Sequence, residues 1–185
     1  MRHKSKGYLN QAMHFFTPEL YIQFNSSDAE IADKADEAWE VALQEYQHHL
    51  ERIRPAMPPQ VAKISELGLH DAEVLKLQQE VEILPYSFPL ATIINLKQGR
   101  EILSLIYILY APTRSYSAKD GWHFSKLRKH WLYDEFDTQS SKGSLFLHRI
   151  LFSDGSVLEI PFLFVITSSF RLPGEDENEI SRQIA

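Results

Sequence analysis

The chain has 185 residues, a formal net charge of −6 and no cysteine. Without cysteine it can form neither a disulfide nor a thiolate zinc site, and it cannot use a cysteine nucleophile. The acidic balance argues against nucleic-acid binding, which usually needs a net basic surface. No apolar run approaches the roughly 18 residues of a transmembrane helix, and no signal-like apolar core follows the basic start. We therefore expect a cytoplasmic protein without membrane contact.

Residues 13–68 carry helical patterns. Thr17 followed by Pro18 is typical of a helix start and predicts a short first helix. A capping-box pattern with Ser27 as the cap predicts a long second helix over residues 28–54, where apolar residues recur every three or four positions. A third, shorter helix is predicted to follow.

Beyond residue 68 the apolar period falls towards two, which indicates strands. The clearest signal is Asp154-Gly155 between two alternating apolar runs, which is typical of a β-hairpin. A three-residue loop closed by Gly155 in the left-handed region would set Arg149 opposite Glu159. The same register places His148 in the buried face, where its ring needs a polar partner. The candidate partners are Asp71, Tyr133 and Asp134.

A second hairpin is predicted around Gln98-Gly99, between two further apolar runs. If its loop follows the same three-residue geometry, Ile94 pairs with Ile102. The second of these runs is apolar on both faces, which favours a central strand covered on both sides.

These patterns predict an α+β fold in which N-terminal helices pack on a mainly antiparallel β-sheet built from hairpins. We expect a single domain over residues 13–173, helical over 13–68 and mainly β over 69–173. Residues 1–12 are predicted to be a disordered extension, and residues 174–185 an acidic flexible tail.

Four segments together resemble an uncharacterised family of small bacterial proteins. The resemblance spans most of the chain after Met13 and suggests Met13 as the natural start, but it implies no particular activity. The segments are Phe16-Thr17-Pro18-Glu19-Leu20-Tyr21, Leu69-His70-Asp71-Ala72-Glu73-Val74, Leu132-Tyr133-Asp134-Glu135-Phe136 and His148-Arg149-Ile150-Leu151-Phe152-Ser153-Asp154-Gly155.

Imidazoles and carboxylates in the β region could supply a metal-assisted hydrolytic site. On a strand, Asp71 and Glu73 point to one face and His70 to the other, so these three cannot share a metal unless the strand bends. No His-x-His or HExxH spacing is present. These observations favour structural roles, with His148 a partnered core residue. The candidate residues for the metal site are His70, Asp71, Glu73, Asp134, Glu135 and His148.

Residues 122–131 mix cations with aromatic rings, a composition found on phosphate-contacting or single-strand-contacting surfaces. No RNA-binding or helix-turn-helix pattern accompanies them, and the acidic residues that follow would repel phosphate. We therefore expect a protein partner rather than a nucleic acid. The binding candidates are Trp122, Lys126, Arg128, Lys129 and Trp131.

The expected function is that of a non-enzymatic protein-binding or accessory module, of the immunity or regulatory kind. Such a module would contact its partner through a sheet face or through residues 122–131. No nucleophile elbow, dinucleotide fingerprint or Walker loop is present, and we expect neither a cofactor nor a resident metal. The alternative is the metal-assisted hydrolase.

Overall fold

The computed structural model describes residues 13–84, 87–118, 120–124, 127–139 and 145–173. In these residues the chain has the predicted α+β fold, with three α-helices and a 3₁₀ turn (Arg54–Ala56) packed on a seven-stranded antiparallel sheet. The predicted extension 1–12 and tail 174–185 lie outside the described residues. The helices are α1 (Pro18–Phe24), α2 (Ala29–Ile53) and α3 (Pro59–Ser65). The strands are β1 (Glu73–Leu84), β2 (Ser87–Gln98), β3 (Glu101–Leu109), β4 (Arg114–Tyr116), β5 (Trp131–Thr138), β6 (Phe146–Phe152) and β7 (Val157–Arg171).

The helix starts follow from their capping residues. Thr17 caps α1 as predicted, since its hydroxyl accepts the N–H of Leu20 at 3.1 Å. The cap of α2 is Asp28 rather than Ser27, because the carboxylate accepts two N–H groups of the first turn. Its negative charge also suits the positive end of the helix dipole. Within the described residues, no helix is both long and apolar enough to span a membrane.

The strands lie in the order β1-β2-β3-β7-β6-β5, and β4 pairs with the start of β7. β7 has 15 residues, whereas its neighbour β6 has 7. The β6–β7 pairing ends where Phe146 lies opposite Phe162. Residues 163–171 of β7 continue beyond that point. Within the described part of the chain they pair with β3 on one side and with no strand on the other.

The hairpin between β6 and β7 has the predicted register. Arg149 lies opposite Glu159, and His148 lies opposite Ile160. Gly155 has a φ of 77°, in the left-handed region that the three-residue loop requires. The sequence alone was therefore sufficient to align these two strands.

The register predicted for the hairpin between β2 and β3 is wrong. Gln98 lies opposite Glu101, so Ile94 pairs with Leu105 and not with Ile102. Gly99 has a φ of 60° and begins a two-residue loop. Glycine at the first central position is what a type II′ turn requires, and this turn is one residue shorter than the predicted three-residue loop.

One face of the sheet packs against helices, and near β5 and β6 a second hydrophobic cluster covers the other face as well. The inner face packs against the end of α2 and against α3, with Ile64, Leu105 and Phe162 in the shared core. Residues alternate between the faces of a strand, so Leu151 points outward, into a second cluster that contains Phe16 and residues of α2. Each face of the β5–β6 region thus has its own core.

We expect Gly155→Ala to lower the free energy of unfolding more than Gly99→Ala does. Both substitutions strain a left-handed backbone, at a cost of about 1–2 kcal/mol. Only at Gly155 would the new Cβ collide, with the Trp122 ring at 2.5 Å and the Cβ of Ala118 at 2.8 Å. Overpacking should add about 1–3 kcal/mol, measurable by urea denaturation. Equal losses for the two variants would contradict the close packing over this turn.

Candidate functional site

The structure divides the residues of the predicted metal site among separate partners. Before β1, His70 Nδ1 donates to the Leu132 carbonyl oxygen at 2.7 Å, and Nε2 lies 3.4 Å from the Asp71 carboxylate. Glu73 pairs instead with Arg128, at 3.1 Å. Among the described residues, no three His, Asp or Glu side chains come together as a metal centre would require.

His148 is fully buried between two polar partners. Its Nε2–H donates to Asp134 Oδ2 at 3.0 Å, and its Nδ1 accepts the hydroxyl of Tyr107 at 2.9 Å. This tautomer follows from the partners, because a carboxylate can only accept. The second carboxylate oxygen, Oδ1, accepts the indole N–H of Trp131 at 2.9 Å. Asp134 is thus the observed partner among the three predicted, and Tyr107 is one that the sequence did not indicate.

The network has the character of a polar core rather than of a catalytic centre. Burial, and then the charge of Asp134, raises the pKa of Tyr107 well above its ordinary value, so its hydroxyl keeps the proton that it donates. The His148 ring also stacks on Phe136, with 3.8 Å between the ring centroids. In this conformation the imidazole cannot meet a substrate.

We expect His148→Phe to lower the free energy of unfolding by about 1–3 kcal/mol, because it leaves the buried Tyr107 hydroxyl unpaired. Adding Tyr107→Phe should recover part of this loss, since the orphaned hydroxyl is then removed. Urea denaturation of both single variants and the double variant gives the coupling energy. Tyr110→Phe, at a half-buried tyrosine of the same strand region, is the control. Strictly additive losses would show that the two residues do not act as a pair.

Glu135, another candidate for the metal site, instead anchors the N-terminal segment. Its buried carboxylate accepts the N–H groups of three consecutive residues, His14, Phe15 and Phe16, at 2.6–3.1 Å. Successive backbone N–H groups of this kind form a concave site for an anion. The carboxylate therefore fixes the segment that places Phe16 in the outer core and leads into α1.

We expect Glu135→Gln to lower the free energy of unfolding by about 2 kcal/mol, because an amide offers one acceptor oxygen and turns its NH₂ towards donors. The released segment should also be cut faster by chymotrypsin after Phe15 or Phe16. Glu82→Gln, on the exposed side of β1, is the matched control and should change neither quantity. Unaltered cleavage in Glu135→Gln would count against the anchoring role.

The predicted binding segment offers less surface than its composition suggests. Trp131 lies wholly in the core, and Trp122 is buried while its indole N–H donates to the carbonyl oxygen of Ser153 at 3.1 Å. The cation of Arg128 is paired with Glu73, as described above. Lys126 lies outside the described residues.

Lys129, the remaining cation of this segment, is engaged by the β6–β7 hairpin. Its ammonium lies 2.8 Å from the Asp154 carboxylate and 4.7 Å from the centroid of the Phe152 ring. Burial would raise the pKa of Asp154, but hydrogen bonds from Lys129 and Ser156 hold it below its ordinary value. In this conformation Lys129 and Trp122 join the segment to the hairpin, and Arg128 joins it to β1.

Four separate parts of the chain meet at one cleft of about 440 Å³. Each contributes a residue to its lining: Tyr21, Asp71, Leu132 and Ser153. Backbone hydrogen bonds also join these regions, such as that from the N–H of Asp71 to the carbonyl oxygen of Trp131 at 2.8 Å. The cleft is thus a junction at which these four parts of the chain contact one another.

A row of exposed apolar side chains lies on β7, in residues that the sequence did not single out. Phe164, Ile166 and Phe170 alternate along its outward face, with exposed fractions of 48, 50 and 60%. A cavity of about 400 Å³ runs beside the same stretch and is bordered on its other side by Pro58 and Val61, at the start of α3. The signal in the sequence was a run of uncharged residues, 160–170, longer than the strand that precedes the hairpin loop.

The chain matches no model of a known protein family, and a search of curated proteins finds no match either. What the protein does is therefore inferred from its surfaces.

Proposed function

We propose that the protein is a non-enzymatic protein-binding module, of the immunity or regulatory kind, whose partner adds an extended strand to the free edge of β7. The observation that carries this proposal is the pairing of residues 163–171. Within the described part of the chain they have β3 on one side and no strand on the other. Such an edge is a template for another strand.

The backbone of this edge supplies the affinity. In an antiparallel pair, each strand turns the N–H and C=O groups of every second residue away from its neighbour. In an edge strand these outward groups are satisfied by water or by an added strand. Recognition of an extended segment by strand addition uses these main-chain bonds, and side-chain pockets then provide specificity.

The side chains on both sides of the edge define the partner's chemistry. Alternate residues of an added strand would face Pro58 and Gln60, at the start of α3, on one side and Phe164 and Ile166 on the other. Proteins commonly protect an exposed edge with charged residues, but residues 160–170 contain none. The fitting partner is therefore an extended, uncharged segment rich in β-branched or aromatic residues.

The remaining parts of the proposal rest on the sequence. The location that it favours is the cytoplasm of a bacterium. The hydrolase alternative receives no support from the geometry, because its candidate residues serve as anchors, core partners and surface ion pairs in separate places.

The proposal is tested by comparing a double variant of the edge with a control on α2. Phe164→Lys/Ile166→Lys places charges beside the free edge, and Val41→Lys/Leu43→Lys places them at comparably exposed positions of α2. A partner captured by the unaltered protein and then purified should bind the edge variant at least tenfold more weakly, which is about 1.4 kcal/mol. It should bind the α2 variant normally.

Amide hydrogen exchange of the complex then locates the contact. Binding should slow exchange in residues 163–171, because strand addition hydrogen-bonds the outward N–H groups. Equal binding by both double variants, or protection confined to other residues, would refute the proposal. So would sedimentation showing that the edge is occupied by a second copy of this chain.

A further inference from the structure

A separate cavity of about 240 Å³ lies between α3 and the adjoining ends of β2, β3 and β7. Its interior is apolar, with Ile64, Ala72 and Leu96 fully buried in its wall and Leu103 half-buried. Gln98 closes one end, since its amide donates to the carbonyl oxygen of Gly68 at 2.7 Å. The cavity is thus built by the fold and is separate from the cavity of about 400 Å³ beside the free edge of β7, although Thr167 borders both.

Polar side chains of both charges surround the mouth of this cavity. Lys63 approaches from α3, Glu101 from the start of β3, and Thr167 and Ser169 from the inner face of β7. Within the described part of the chain, the structure records no hydrogen bond or ion pair for any of these four side chains. An exposed cation and an exposed anion therefore remain available beside an apolar interior.

We propose that this cavity binds a free amino acid with an apolar side chain. The carboxylate of such a ligand pairs with Lys63, and its ammonium group with Glu101. The hydroxyls of Thr167 and Ser169 supply further hydrogen bonds. The apolar side chain enters the cavity, where water is replaced by contact with Ile64 and Leu96.

The size of the cavity suits a branched or aromatic side chain. A volume of 240 Å³ corresponds to roughly eight molecules of liquid water, and an engineered apolar cavity of about 150 Å³ binds benzene. Charged and strongly polar side chains are excluded, because the interior offers them no partner. Leucine, isoleucine and phenylalanine are the expected ligands.

The pair of opposite charges distinguishes an amino acid from other amphipathic ligands. A fatty acid would pair with Lys63 but would bring its carboxylate close to Glu101, where like charges repel. An aliphatic amine would satisfy Glu101 and leave Lys63 unpaired. Only a zwitterion complements both groups at once.

Calorimetric titration of the full chain tests the ligand class. L-leucine and L-phenylalanine should bind and raise the melting temperature. The analogues 4-methylpentanoate and 3-methylbutylamine, each with one of the two charges, should bind at least tenfold more weakly than leucine. L-glutamate should not bind. Failure of leucine to bind, or equal binding by its two analogues, would overturn the proposal.

Two charge-removing variants test the assignment of the residues. Lys63→Gln and Glu101→Gln should each weaken leucine binding at least tenfold, with unchanged melting temperatures in the absence of ligand because both side chains are exposed. Lys76→Gln and Glu82→Gln remove the same charges from exposed positions of β1 that do not line the cavity, and they should bind leucine normally. Equal losses in all four variants would mean that net charge, and not these two contacts, determines the affinity.

Discussion

The difference in length between β6 and β7 shapes most of this molecule. A strand of 15 residues pairs with one of 7, so only the first half of β7 has neighbours on both sides within the described residues. There the sheet is a closed core with both faces covered. In the second half, the described part of the chain leaves one edge and the outward face of β7 open to solvent. The cavity beside the free edge and the cavity proposed to bind an amino acid both border this second half.

The doubly covered half imposes a second constraint, because polar groups enclosed between two layers must find partners there. Glu135 accepts backbone N–H groups of the N-terminal segment, and His148 lies between Tyr107 and Asp134. Arg149 pairs with Glu159, 3.3 Å away on the neighbouring strand. Asp134, Glu135 and His148, three of the six candidates for a metal site, are thus among the groups whose partners permit this half of the sheet to be buried.

What the sequence could predict depended on the range of the interaction. Local signals were sufficient for the cap at Thr17, the left-handed Gly155 and the alignment of Arg149 with Glu159. The register predicted for the hairpin between β2 and β3 was wrong because a glycine can begin a two-residue turn or close a longer one. The alternation of the flanking residues does not distinguish these two turns. Tyr107 and Glu135 were unpredictable for another reason. Their partners lie 41 and about 120 positions away, and only the order of the strands brings them together.

The two proposed contacts share a strand, and this has a thermodynamic consequence. Thr167 and Ser169 line the mouth of the ligand cavity and also belong to the edge that a partner strand would pair with. If a bound strand holds Thr167 and Ser169 in the positions that the amino acid contacts, it raises the affinity for the amino acid. Linkage requires the effect to be reciprocal, so the ligand must strengthen partner binding by the factor by which the partner strengthens ligand binding. In a module built in this way, the concentration of an apolar amino acid would determine what fraction of the β7 edge is occupied by the partner, without any catalytic step.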